Sequence, residues 1–137
     1  MVKNLIHDPL ILSKPSENAT KDDMQAAYDL LDTLAANIRT CVGMAANMIG
    51  IHKRIIVFTD GAKRRLMFNP EIISKAAPYE TEEGCLSLLG EPRKTTRYKV
   101  IKVRYHDEKF AVRTEQFRDL TAQIIQHEID HCSGILI

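Results

Sequence analysis

The stretch His127-Glu128-Ile129-Asp130-His131 is an H-E-x-x-H pattern. On a helix, i,i+4 spacing sets both imidazoles on one face about one turn apart, where they can grip one cation. Glu128 adjoins the first imidazole, so its carboxylate can hydrogen-bond a water on that cation and move protons without binding the metal itself. The same five residues also suit a solvated helix face with two surface histidines, and the surrounding chain has to decide. A hydrolytic centre needs three protein ligands and an open position. Cys132 to Ile137 offer no His, Asp or Glu, which removes the downstream third ligand of common metallopeptidases. Upstream, Cys85 lies in Glu83-Gly84-Cys85-Leu86-Ser87, where Gly84 permits close backbone approach and a thiolate would complete a Cys-His-His set. The usual fate of a lone cysteine is instead a buried small hydrophobe.

These residues need elements to hold them. Leu120, Ile124, His127 and His131 recur at helical spacing and stop at Gly134, so a helix is expected to carry the two histidines. Thr20, followed by Lys21, Asp22 and Asp23, reads as a helix start, and Met24, Ala27, Leu31, Leu34 and Ile38 as its apolar stripe. Between the helices the texture is β-rich. Arg54 to Thr59, a turn at Asp60-Gly61, and Arg64 to Phe68 closed by Asn69-Pro70 predict one hairpin; Arg97 to Tyr105 and Phe110 to Phe117 around a polar turn predict a second. The class expected is α+β.

The chain has 137 residues, with 19 Lys+Arg against 18 Asp+Glu. That suits one domain, 1–137, able to bury a core without staples, and the net charge of +1 gives no basis for generic nucleic-acid binding. No repeat or linker divides it. Lys3 and Asp8 interrupt the early apolar residues, and the longest uncharged run, Thr40 to His52, is too short for a bilayer, so no signal peptide or membrane span is expected and the location expected is cytoplasmic. Cys41, Cys85 and Cys132 are an odd set that argues for reduced thiols. His7, His52 and His106 have no motif support and read as surface histidines.

Three motifs together carry a resemblance. Gly43-Met44-Ala45-Ala46-Asn47-Met48-Ile49-Gly50 is similar to G-x-G-L-A-A-x-Q-x-G, with Cys41 at the first glycine; Glu83 to Ser87 matches E-G-C-L-S; Gln126 to Gly134 matches Q-H-E-x-D-H-x-x-G. With Asp8-Pro9-Leu10 and Phe68-Asn69-Pro70 in the same order, the chain resembles the peptide deformylases, here in a short form. These enzymes remove the formyl group from N-formylmethionine at the start of newly made proteins.

The resemblance implies antiparallel β-sheets around the C-terminal metal-binding helix, with an N-terminal helix. It implies that Cys85, His127 and His131 hold one divalent metal, Fe(II) physiologically, with Zn, Ni or Co able to replace it. Glu128 would act as base and then acid. The oxyanion would be met by the backbone N–H of Leu86 and by the residue at the family's glutamine position, which here is Met48. A thioether cannot donate a hydrogen bond, and losing one such donor can cost about 10²- to 10³-fold in rate. Asn47 offers a carboxamide one residue earlier, where a surface or turn role is also open. Val42 and Gly43 would pair with the peptide backbone, Leu120 and Ile124 would line the methionine pocket, and Glu83, Arg97 and Asp130 would brace the ligands. Cys132 is expected to pack. The partners implied are N-formylmethionyl nascent peptides, with transient ribosome proximity. Two other readings stay open on the sequence: a weakly active deformylase-like binder of amino-terminal peptides, and a closed structural metal site.

Overall fold

The computed structural model describes residues 1–85 and 88–136, without the side chains of 85 and 88–90. Three helices and five strands run in the order α1 (Pro9–Leu12), α2 (Met24–Ala36), β1 (Gly43–Ala45), β2 (Ile55–Asp60), β3 (Lys63–Cys85), β4 (Leu88–His106), β5 (Val112–Arg118) and α3 (Asp119–Cys132). The strands form one antiparallel sheet in chain order, so every neighbour in space is a neighbour in sequence.

Period-2 alternation decides how the sheet is covered. On β2, Ile55 and Val57 join Leu66 and Phe68 beneath α2, whereas Ile56 and Phe58 join Met67, Ile101 and Val103 beneath α3. Each helix therefore lies on its own face of the sheet. Helix α2 begins where Thr20 accepts from the Asp22 amide and the Asp23 carboxylate accepts from the Thr20 amide, a reciprocal cap on the preceding 3-10 turn. Its core contacts are Ala27, Leu30 and Leu34. Met24 and Leu31 are half-buried and pack against the same core, and the expected stripe is corrected at one place: Ile38 lies beyond the helix end and is 41% exposed.

Both expected hairpins form, with shifted limits. The Asp60-Gly61 turn joins β2 to β3, and Gly61 takes the positive φ of +63° that a tight reversal needs. Asn69-Pro70 does not close a strand. It sits in a register shift between Phe68 and Glu71, and β3 continues to Cys85 to pair with β4 over most of its length. Asn69 tolerates φ +52°, while its amide bonds both the N–H and the C=O of Ala19 at 2.7 and 3.0 Å. In the last hairpin Phe110 belongs to the turn, with φ +61°, stacked on His106 and packed on Phe68; the strand starts at Val112. His106 is half-buried there rather than a surface histidine.

Asn47 takes the turn position left open for it, but with its side chain turned inward. It lies in a 3-10 turn, Ala46–Ile49, is buried, and donates to the carbonyls of Leu12 and His131 at 3.1 and 3.0 Å. Neither a surface role nor the oxyanion falls to it; it ties α1 to the end of α3. Cys132 packs in the core as expected, and burial pushes its thiol up to about 12, which leaves it inert.

Helix α3 stops at Gly134, whose φ is +77° and whose ideal Cβ would sit 2.2 Å from the Ser13 carbonyl oxygen. Gly134→Ala therefore meets a backbone clash as well as a strained φ. Its urea unfolding free energy should fall by more than the roughly 1 kcal/mol of an ordinary glycine-to-alanine conformational penalty. An unchanged midpoint would contradict the packing of Gly134 on Ser13.

Candidate metal centre

More than half of helix α3 is sunk into the protein: Ala122, Ile124, Ile125 and Cys132 join the core, and Gln126, His127, Glu128 and His131 are buried beside them. Its attachment to β4 is specific. The Gln126 carboxamide accepts from the Tyr98 amide at 2.9 Å and donates to the Tyr98 carbonyl at 2.8 Å. Strand β5 pairs with β4 only between Val100 and His106, so this side chain serves Tyr98 as the missing strand would.

Residues 123, 127 and 130 share the helix face turned to Glu83 and Arg97. Arg97, on β4, is buried and grips the Glu83 carboxylate through Nε (3.1 and 3.0 Å) and Nη2 (2.7 Å), while Nη1 reaches Asp130 at 2.6 Å. Gln123 Nε2 donates to Glu83 Oε2 at 2.9 Å, and His127 Nδ1 lies 2.7 Å from Glu83 Oε1. Burial would raise the Glu83 carboxyl. The hydrogen bonds from His127, Arg97 and Gln123 outweigh burial and hold it down at about 2. An ionised carboxylate only accepts, so His127 carries its proton on Nδ1 and keeps Nε2 as the basic nitrogen, the tautomer a metal ligand needs.

One possible donor atom each from His127, Glu128 and His131 lie within 4.8 Å of one another, and all three residues are buried. Among the described residues Glu128 Oε1 is buried without a hydrogen-bond partner, its nearest imidazole nitrogen being His131 Nδ1 at 3.4 Å. A buried orphan carboxylate oxygen among imidazole nitrogens is what a bound cation with its water would satisfy, so this donor set fits a divalent metal. Cys85 ends β3, the strand that carries Glu83 two residues earlier, and pairs in register with Leu88. Its side chain, and all of Leu86, lie outside the described residues.

A groove of about 280 Å³ opens onto this centre, lined by Val42 and Gly43 from the β1 end and by Leu120, Gln123, Ile124, His127 and Glu128 from α3. The structure thus brings together the sequence-predicted residues Val42, Gly43, Leu120, Ile124, His127 and Glu128. Leu120 is 65% exposed at the rim and Ile124 only 8%. Met48 does not line the groove: it is 1% exposed, packs beneath α2, and its sulfur accepts from the Ala45 amide. No protein atom among the described residues crowds Gly84, so its glycine is not dictated by packing. Gln126 entered the sequence reading only as a motif residue, and Gln123 was missed. The available signal was position, since Gln123 stands one helical turn before His127 on the same face.

The sequence model described as polypeptide deformylase matches residues 4–137. The chain is 55% identical, over the full length of both, to a peptide deformylase of Clostridium beijerinckii. Among solved structures it is similar to a peptide deformylase of Legionella pneumophila, with TM-score 0.89 and 30% identity over 99% of this chain and 83% of that one. A Met-Ala-Ser-bound peptide deformylase of Acinetobacter baumannii gives 0.88 and 27% over 99% and 96%.

Two outcomes follow from the geometry. Because the Glu83 pKa is depressed on folding, its stabilisation is complete above the ordinary carboxylate value of about 4.3 and drains away as pH falls toward about 2. In metal-free protein, Glu83→Gln should flatten the dependence of unfolding free energy on pH across that window by about one proton; a slope equal to the parent's contradicts the assignment. At Gly43 an added Cβ would lie 2.7 Å from Ile124 Cγ2 and 3.0 Å from Glu128 Oε2. Gly43→Ala should therefore lower turnover by about 10²-fold through a displaced Glu128 and, by pressing on core-packed Ile124, lower the melting temperature as well; unchanged turnover contradicts the close approach.

Proposed function

The chain belongs to the polypeptide deformylase family, and on that premise we propose how its own residues carry the reaction. It is a hydrolase that removes the N-formyl group from the formylmethionine of newly synthesised polypeptides, releasing formate, and the family is metal-dependent. We assign the metal to Cys85, His127 and His131, with Fe(II) as the physiological ion and Zn, Ni or Co as substitutes. When bound, the metal supplies Lewis-acid activation of water and of the formyl carbonyl.

The observation that carries the assignment is the buried oxygen of Glu128, without a hydrogen bond among the described residues, beside two imidazoles at the end of an open groove. Glu128 takes the proton of the attacking water and returns it to the departing α-amine, one carboxylate serving as base and then acid. Glu83 holds His127 in orientation, and Arg97 with Asp130 holds Glu83. The peptide backbone adds to the free edge of β1 at Val42 and Gly43, so that its first side chain enters between Leu120 and Ile124. The Acinetobacter baumannii relative binds Met-Ala-Ser, a peptide that begins with methionine. The Leu86 N–H meets the oxyanion, and Met48 contributes core packing instead of a donor. The enzyme acts in the cytoplasm, in transient proximity to the ribosome, on nascent N-formylmethionyl chains.

Anaerobically purified, iron-loaded protein should release formate from formyl-Met peptides. Glu128→Gln should lower that rate by about 10²- to 10⁴-fold while keeping the metal, as measured by formate release beside metal content. Loaded parent protein that releases no formate would overturn the assignment.

A further inference from the structure

Strand β1 is the outermost strand of the sheet, so only one of its edges is paired. The Val42 carbonyl accepts from the Thr59 amide at 2.8 Å, and Gly43 stands opposite Phe58 on β2. Backbone groups alternate sides along a strand, so the Gly43 carbonyl turns away from β2 toward the open edge. Ala45, two residues on, has the same phase, and its amide is given to the Met48 sulfur at 3.4 Å. The position is next to the reacting end of the groove, because Glu128 Oε2 lies 3.0 Å from an ideal Cβ on Gly43.

The Gly43 carbonyl is already taken. Cys41, in the groove wall beside Val42 and Gly43, donates its thiol hydrogen to it, with sulfur and oxygen 2.8 Å apart. The Cys41 backbone is anchored separately, its amide donating to the Asn37 carbonyl at 2.9 Å. Rotation about χ1 can therefore release the carbonyl while the chain stays in place. A thiol is a weak donor, and an incoming peptide backbone brings amide N–H groups that are stronger ones.

Resting on the reading of β1 as the edge to which the peptide adds, we propose that Cys41 is a self-blocking contact: its thiol holds the Gly43 carbonyl in the peptide-free enzyme, and a peptide amide displaces it on binding. A weak donor suits this role, since it covers an exposed edge acceptor and still yields to an amide. A hydroxyl at the same place would yield less readily, and a methyl group would not hold the carbonyl at all.

The test uses nickel-loaded protein as the parent, Cys41→Ala, Cys41→Gly and Cys41→Ser. By calorimetry, Cys41→Ala and Cys41→Gly should bind Met-Ala-Ser about 2- to 5-fold more tightly than the parent, and Cys41→Ser less tightly than the parent. With formyl-Met-Ala-Ser as substrate the same differences should appear in KM. The thiol is also read directly. The parent should show a hydrogen-bonded S–H stretch in the infrared that Cys41→Ala lacks, and saturating Met-Ala-Ser should move that band to higher frequency. A role in packing alone would leave the band in place. An unmoved band, or Cys41→Ala and Cys41→Gly proteins that bind the peptide no better than the parent, overturns the proposal. Absence of formate release would remove the deformylase assignment, while the band and the binding ratios still judge Cys41.

Discussion

A single buried carboxylate, Glu83, sets the geometry of the centre. Taking an anion out of water costs several kcal/mol unless its oxygens are satisfied, and Glu83 is satisfied from three directions: by Arg97 on β4, and by Gln123 and His127 on α3. The positions 123, 127 and 130 fix both the rotation of α3 about its axis and its height on the sheet, because no other phase presents an amide, an imidazole and an acid to one guanidinium-carboxylate pair. The ion pair orients His127 more than it adds stability, as is common for buried charges.

The supporting structure supplies what that network lacks. Gln126 serves the backbone of Tyr98 where β5 stops, so β4 can run on past its partner strand without exposing an unpaired amide in the core. Asn47 reaches the carbonyl of His131 itself, tying the end of the helix to the N-terminal segment. Both are buried carboxamides spent on backbone groups, Gln126 next to His127 and Asn47 at the carbonyl of His131.

The local signals proved legible where they were short-range: the Thr20 cap, the Asp60-Gly61 turn, the helical spacing of Leu120, Ile124, His127 and His131, and the end at Gly134. The motif order carried the family. What escaped was set by tertiary partners. Asn69-Pro70 has the chemistry of a turn, yet its asparagine is used to hold Ala19 while the strand continues. Ile38 continues the apolar period, but the helix has already ended at Ala36. Met48 occupies a motif position whose usual residue is polar, and nothing in its type reveals that its side chain turns into the core beneath α2. Gln123 looks like an ordinary polar helix residue until Glu83, forty positions earlier, is brought beside it.

Strand β2 is buried on both faces, with alternate residues belonging to the core under α2 and the core under α3. Two hydrophobic layers that share a strand cannot open one at a time: releasing α2 uncovers Ile55 and Val57 and strips support from the backbone that carries Ile56 and Phe58. The amides of β2 then exchange with solvent only when the whole domain opens, and the molecule behaves as one cooperative unit although it is built from two separate cores.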